Sequence, residues 1–131
     1  MIPVTSQRVI EVIRDEICNP RLNVDFICYS LECSAPTLWK CVKSDFNTTP
    51  YKLIQNIRVQ KILKNTYDYK TGIYDSAKYY GIDATETFFQ LIKRKFSKTP
   101  CEIEYEIAIC ENRKLNYLGY YKSLHIDGLF L

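Results

Sequence analysis

Hydrophobic positions recur along most of this chain at intervals of three and four, the spacing that lays apolar side chains on one face of an α-helix. Val9, Ile10, Val12, Ile13 and Ile17 mark a first helix within residues 5–18, with Thr5 or Ser6 as its N-cap. Asn19-Pro20 stops it, because a residue before proline avoids the helical region. Asn23 can cap a second helix running to about Glu32, with Phe26, Ile27 and Leu31 inward. Cys33 falls in a turn. Ser34 is a good N-cap and Pro36 is tolerated in a first turn, so a third helix is expected to about Phe46, burying Leu38, Cys41, Val42 and Phe46. Asn47 suits a left-handed C-cap.

Pro50 opens a longer fourth helix, to about Lys64, with Leu53, Ile54, Ile57, Ile62 and Leu63 apolar. Residues 65–72 read as a polar loop. The next stretch, IYDSAKYYGIDATETFFQLIKRKFSKTP, reads as a short helix, a turn at Gly81 and a second helix ending near Phe96. Phe88, Leu91, Ile92 and Phe96 form its buried face; Thr85, Glu86, Phe89, Gln90 and Lys93 fall mainly outside. Pro100 starts a seventh helix, roughly residues 101–111, with Ile103, Ile107 and Cys110 on one side. The tail, residues 112–131, scatters Leu, Tyr and Ile among two glycines. Its Asp127-Gly128 turn allows a short hairpin, and a frayed helix fits equally well. The pattern thus predicts an all-α fold of about seven helices with a short C-terminal extension.

The chain also repeats itself. Thr37, Lys43, Phe46, Thr49 and Pro50 recur as Thr87, Lys93, Phe96, Thr99 and Pro100, each fifty residues on. Leu38 and Phe88, Trp39 and Phe89, and Val42 and Ile92 match in kind. Upstream the register slips by one, pairing Cys28 with Ala77 and Glu32 with Gly81. Such spacing exceeds any helical period and implies two copies of one helix-turn-helix unit. Residues 1–49 then form a first subdomain, 50–65 a linker helix, 66–111 a second subdomain and 112–131 the extension.

Composition changes this picture little. The apolar fraction of 47% argues against disorder. No apolar run approaches a membrane span and no signal peptide follows Met1, so a soluble cytoplasmic protein is expected. Cysteines at 18, 28, 33, 41, 101 and 110 form no CxxC pair, and the single histidine is His125. A structural metal is therefore not expected, and small reduced core residues is the simpler reading of the cysteines. No phosphate loop, paired carboxylates or Cys/His arrangement suggests catalysis, so neither an enzyme nor a cofactor is expected. Charge is more telling. Residues 51–100 carry ten Lys/Arg against four Asp/Glu, whereas 1–50 carry five against six and 101–131 three against five. A basic excess confined to one region is the footprint that nucleic acid requires, although a solvated basic face looks the same.

Together, GIDATETFFQLIKRKFSKTP with the following CEIEY, and LECSAPTLWKCVKSDFNTTPYKLIQNIR before it, resemble the two motifs of the DNA-binding domain of AraC/XylS-family bacterial transcription regulators. The resemblance covers about residues 7–106. Several positions depart from the family pattern. Glu32 stands where a turn glycine is usual, and Asn47 and Ser97 replace glycines. Ser76 takes an apolar position, and Asn65 and Thr66 replace a pair of leucines. With the first helix beginning close to Met1, the chain resembles the small stand-alone members.

The resemblance implies two recognition helices in successive major-groove segments, about 34 Å apart for one turn of DNA. A linker helix of some fifteen residues would span about 22 Å. Outward candidates in the first unit are Ala35, Pro36, Trp39, Lys40 and Lys43. Lys40 suits a guanine edge, and Trp39 a thymine methyl or sugar. In the second unit they are Thr85, Glu86, Phe89 and Gln90; Gln90 suits adenine and Glu86 can accept from cytosine. Ser34, Thr37, Lys43, Lys93, Arg94, Lys95 and Lys98 are the phosphate-contact candidates. The implied partners are double-stranded promoter DNA and RNA polymerase, with a protein co-regulator as a further option and the protein acting as a monomer or weak dimer. The rival reading is an interaction module of the same fold, binding a regulator, a chaperone or RNA polymerase. Exposed Trp39 and Phe89 and the mildly acidic, aromatic tail favour the rival; the basic middle favours DNA.

Overall fold

The computed structural model describes residues 4–112, and over them the chain is helical throughout: α1 (Ser6–Asp15), α2 (Val24–Leu31), α3 (Ala35–Phe46), α4 (Pro50–Tyr69), α5 (Ile73–Tyr79), α6 (Thr85–Phe96) and α7 (Pro100–Asn112). Seven helices and no strand lie among the described residues, the all-α architecture that the pattern predicts. The hairpin or frayed helix expected of the tail lies outside them.

Five helix starts are built the same way. Side chains of Thr5, Asn23, Ser34, Thr49 and Thr99 accept from the amides of Arg8, Phe26, Thr37, Lys52 and Glu102. Each satisfies one amide that a helix start leaves without a partner, a contribution of about 1 kcal/mol. α6 begins at Ala84, which offers no such cap.

The two turns share one backbone design. At the end of α2, Cys33 N–H donates to Cys28 O at 3.0 Å and Glu32 N–H to Tyr29 O at 3.3 Å. At the end of α5, Ile82 N–H donates to Ala77 O at 2.8 Å and Gly81 N–H to Lys78 O at 3.2 Å. These nested bonds are a Schellman motif, which needs one left-handed residue. That residue is Glu32 (φ 52°) in the first turn and Gly81 (φ 92°) in the second. Asn47 (φ 53°) and Ser97 (φ 57°) end α3 and α6 in the same region. The side chain at Glu32 thus sits in a conformation that costs an L-residue about 1 kcal/mol relative to glycine.

α4 is shared by two apolar cores. Leu53, Ile54 and Ile57 close a core with Val9, Ile13, Ile27, Leu38 and Val42. Val59, Ile62 and Leu63 close a second with Ile73, Phe88, Ile92, Ile103 and Ile107. Tyr80 packs at the edge of both. α4 can serve two cores because its buried positions run around its surface rather than along a single stripe.

Several readings of the sequence need correction. α4 does not end near residue 65; it continues to Tyr69, through the first part of the stretch read as a polar loop. Two of its polar residues, Asn65 and Thr66, face protein, whereas Asp68 and Tyr69 are exposed. Thr66 Oγ1 donates to Ile62 O at 2.9 Å and lies 3.2 Å from Ser76 Oγ, which also accepts from Asn65 Nδ2 at 3.0 Å. Thr66 and Ser76 are buried. Asn65, Thr66 and Ser76, read one by one as departures from an apolar pattern, are therefore a single hydrogen-bonded cluster between α4 and α5. The cysteines are not core residues either: Cys18 and Cys101 are exposed, and Cys28, Cys33 and Cys41 are half-buried on the rim of the first core. The Cys110 side chain lies outside the described residues. Val12, Phe26, Phe46 and Phe96 are likewise half-buried, because the margins of each apolar stripe reach the surface before their side chains are covered.

Opposite substitutions at two left-handed positions follow from this backbone. Ser97→Gly relieves a strained φ and is expected to raise stability to urea by about 0.5–1 kcal/mol. Gly81→Ala is expected to lower it by about 2 kcal/mol in the same measurement, since it adds both strain and a clash described below.

Candidate nucleic-acid interface

The two halves are held in register by Arg58, on α4. Arg58 is 5% exposed. Its Nη2 donates to Asn19 O at 2.6 Å and its Nε to Ile17 O at 3.4 Å, both just beyond α1. Both acceptors are main-chain carbonyls rather than carboxylates. Burial pushes the guanidinium pKa down from its usual value, against smaller opposing effects from Cys18 and Tyr51. On the other side the guanidinium abuts the turn of the second unit. A Cβ on Gly81 would lie 2.9 Å from Nη2 and 3.1 Å from Cζ. Gly81 is therefore required twice, for its left-handed backbone and for its missing side chain.

On this frame the outer faces of α3 and α6 present the candidates. Ser34, Ala35, Pro36, Thr37, Lys40 and Lys43 are exposed, and Trp39 is 46% exposed. Ser34 and Thr37 are engaged with each other, their hydroxyls 2.9 Å apart. On α6, Thr85, Glu86, Gln90, Lys93 and Arg94 are exposed. Phe89 is half-buried, so its ring is less available than its place on the outer face implies. Two lysines are held by the protein. Lys95 donates to Asn56 of α4, a buried residue, and so ties the end of α6 to the shared helix. Lys98 forms an ion pair with Glu106 of α7, at 2.9 and 3.0 Å.

Between the ends of α3 and α6 lies a groove of about 680 Å³, floored by the first turns of α4. Lys43, Lys52, Arg94 and Lys95 line it with Tyr51, Gln55 and Asn56, and among the described residues no carboxylate does. A neighbouring hollow of about 640 Å³ shares Tyr51, Gln55, Leu91 and Arg94 and runs on to Arg58, Gln90 and the two acids Asp83 and Glu86. The surface is thus graded, cationic where the two units meet and mixed toward the start of α6. Field from several cations on a concave wall favours a polyanion over isolated small anions.

The structure therefore brings Lys43, Gln90, Arg94 and Lys95 onto one continuous concave surface and leaves Lys98 on the α7 side. Sequence reasoning missed Tyr51, Lys52 and Gln55. Their signal was present: they occupy the polar side of a helix whose other side carries Leu53, Ile54 and Ile57. No family model, curated protein or solved structure matches the chain. Among the described residues no helix is long and apolar enough to cross a membrane, and no cluster of three metal-ligating side chains occurs.

Replacing Arg58 by Met removes the charge and strands two carbonyls, and is expected to lower stability by about 3 kcal/mol. Arg58→Lys should lose less, since a single ammonium keeps the charge without the planar fork. Urea denaturation of the two variants beside the parent decides; equal losses would contradict the role of the fork.

Proposed function

We propose that the chain is a sequence-specific, double-stranded DNA-binding transcription regulator resembling the AraC/XylS family, with α3 and α6 entering successive major-groove segments of a promoter. The observation that carries this reading is the groove between the two helices that holds Lys43, Lys52, Arg94 and Lys95 and, among the described residues, no carboxylate. The length of α4 supports it. Twenty residues span about 30 Å, nearer to one turn of DNA than a shorter linker would be.

In this reading Lys43, Lys52, Lys93 and Arg94 contact phosphate, and the first turn of α3, with Ser34 and Thr37, offers amides and hydroxyls to the same strand. Lys95 chiefly positions α6 through Asn56, and Lys98 reaches phosphate only by leaving Glu106. Lys40 and Gln90, with Pro36, Trp39, Thr85, Glu86 and Phe89 around them, supply selectivity. The protein would act in the nucleoid, as a monomer or weak dimer, with RNA polymerase as its protein partner.

A second reading has its own support. Tyr29, Tyr69, Tyr79 and Tyr105 are exposed, Tyr29 at 88%, which suits a module that binds another regulator, a chaperone or the polymerase with little DNA affinity. A salt titration separates the two. Binding to duplex promoter fragments is expected to fall steeply with salt, and Lys52→Ala to weaken all sequences alike while flattening the log–log slope by about 0.9. Gln90→Ala should instead relax preference at one base pair. No binding to any duplex at low salt would leave the interaction module standing.

A further inference from the structure

The first turn carries a pair of thiols that the DNA-binding reading does not use. In a Schellman motif the residue three from the helix end and the residue just past the left-handed position are brought side by side, and their side chains frequently touch. In the second unit those residues are Ala77 and Ile82, both buried in the second core. In the first unit they are Cys28 and Cys33, joined through the main chain by the 3.0 Å bond from Cys33 N–H to Cys28 O. Neither sulfur is engaged in a disulfide. The Cys28 thiol lies in hydrogen-bond reach of Cys33, and burial followed by that neighbour pushes its pKa up. Both residues are half-buried and line an open recess of about 590 Å³ with Tyr29, Ser30 and Glu32, so a small reactant can reach them. Of the other described cysteines, Cys18 lies beyond α1, Cys41 on α3 and Cys101 on α7, and none of them lines this recess.

We propose that Cys28 and Cys33 are a dithiol modification site that closes to an intramolecular disulfide by exchange with a low-molecular-weight disulfide such as oxidised glutathione. One protein thiolate attacks the small disulfide, forming a mixed disulfide and releasing one small thiol. The second protein thiol gives its proton to solvent and attacks the protein sulfur of the mixed disulfide, releasing the other small thiol. Two protein thiols are oxidised and one small disulfide is reduced to two thiols. The new bond spans Glu32, the strained residue of the turn, and ends directly before Ser34, the cap of α3. It therefore acts on the joint that aims α3. The site stands whether or not the chain binds DNA.

The test uses the full chain in a glutathione redox buffer, followed by alkylation, trypsin and mass spectrometry. Residues 22–40 form one tryptic peptide that contains Cys28 and Cys33 and no other cysteine. This peptide is expected to become lighter by two hydrogens and to take up alkylating reagent only after reduction. Its ratio of closed to open form should be about tenfold higher in the folded chain than in urea, since the turn raises the effective concentration of one thiol at the other. In a Cys33→Ser chain the peptide should retain glutathione on Cys28. A peptide that carries glutathione without closing, or that closes no better folded than in urea, overturns the proposal.

Discussion

A guanidinium buried without an acidic partner is costly unless every donor that leaves water finds an acceptor. Two donors of Arg58 reach the carbonyls of Ile17 and Asn19, just beyond α1, while its far side rests on Gly81 at the turn of the second unit. One side chain thereby touches all three parts of the fold: the first unit, the shared helix and the second turn. α3 and α6 are each packed in their own apolar core, and apolar packing alone would tolerate small rotations of one core against the other. Directional hydrogen bonds from a planar group do not, and a glycine whose absent side chain makes room for that group restricts the turn still further.

A second tie acts in the same direction. Lys95, near the end of α6, donates to Asn56 one helical half-turn from Arg58 on α4. Polar residues that a purely apolar linker would not carry thus occupy its centre, where Asn56, Arg58 and Gln60 are all buried. The groove between the two units is a consequence. Its floor is the exposed start of α4 and its walls are the ends of α3 and α6, so its shape is set by whatever fixes those helices to the linker. A concave cationic surface of constant shape suits a rigid polyanion better than a mobile pair of domains would.

The two turns share one backbone and carry different side chains on it. Where the second turn has Gly81, the first bears Glu32 at a strained φ, and where the second packs Ala77 against Ile82, the first places two thiols. Between α4 and α5, three polar residues that look like separate substitutions satisfy one another. A buried hydroxyl or amide is tolerable only when its partners change with it. The mutual hydrogen bonds of Asn65, Thr66 and Ser76 let these polar side chains sit between α4 and α5 beside a closed apolar core.

The sequence by itself determined the helices and their starts. Thr5, Asn23 and Ser34 cap where their side chains and the following periodicity place them, and the fifty-residue repeat implies two similar turns, because capping and turn geometry are local. It also marked the outer faces of α3 and α6, since exposure on a helix follows from spacing. It misplaced the end of α4 and the depth of the cysteines, since a run of Asn, Thr and Tyr reads as solvent-facing until its partners on another helix are known. Only the tertiary structure decided that Lys95 and Lys98 are held within the protein, that Lys52 joins Lys43 and Arg94 in one groove, and that Arg58 locks the two units. Those are contacts between residues far apart in sequence, and pairing of that kind is set by how the helices pack, which no local spacing records.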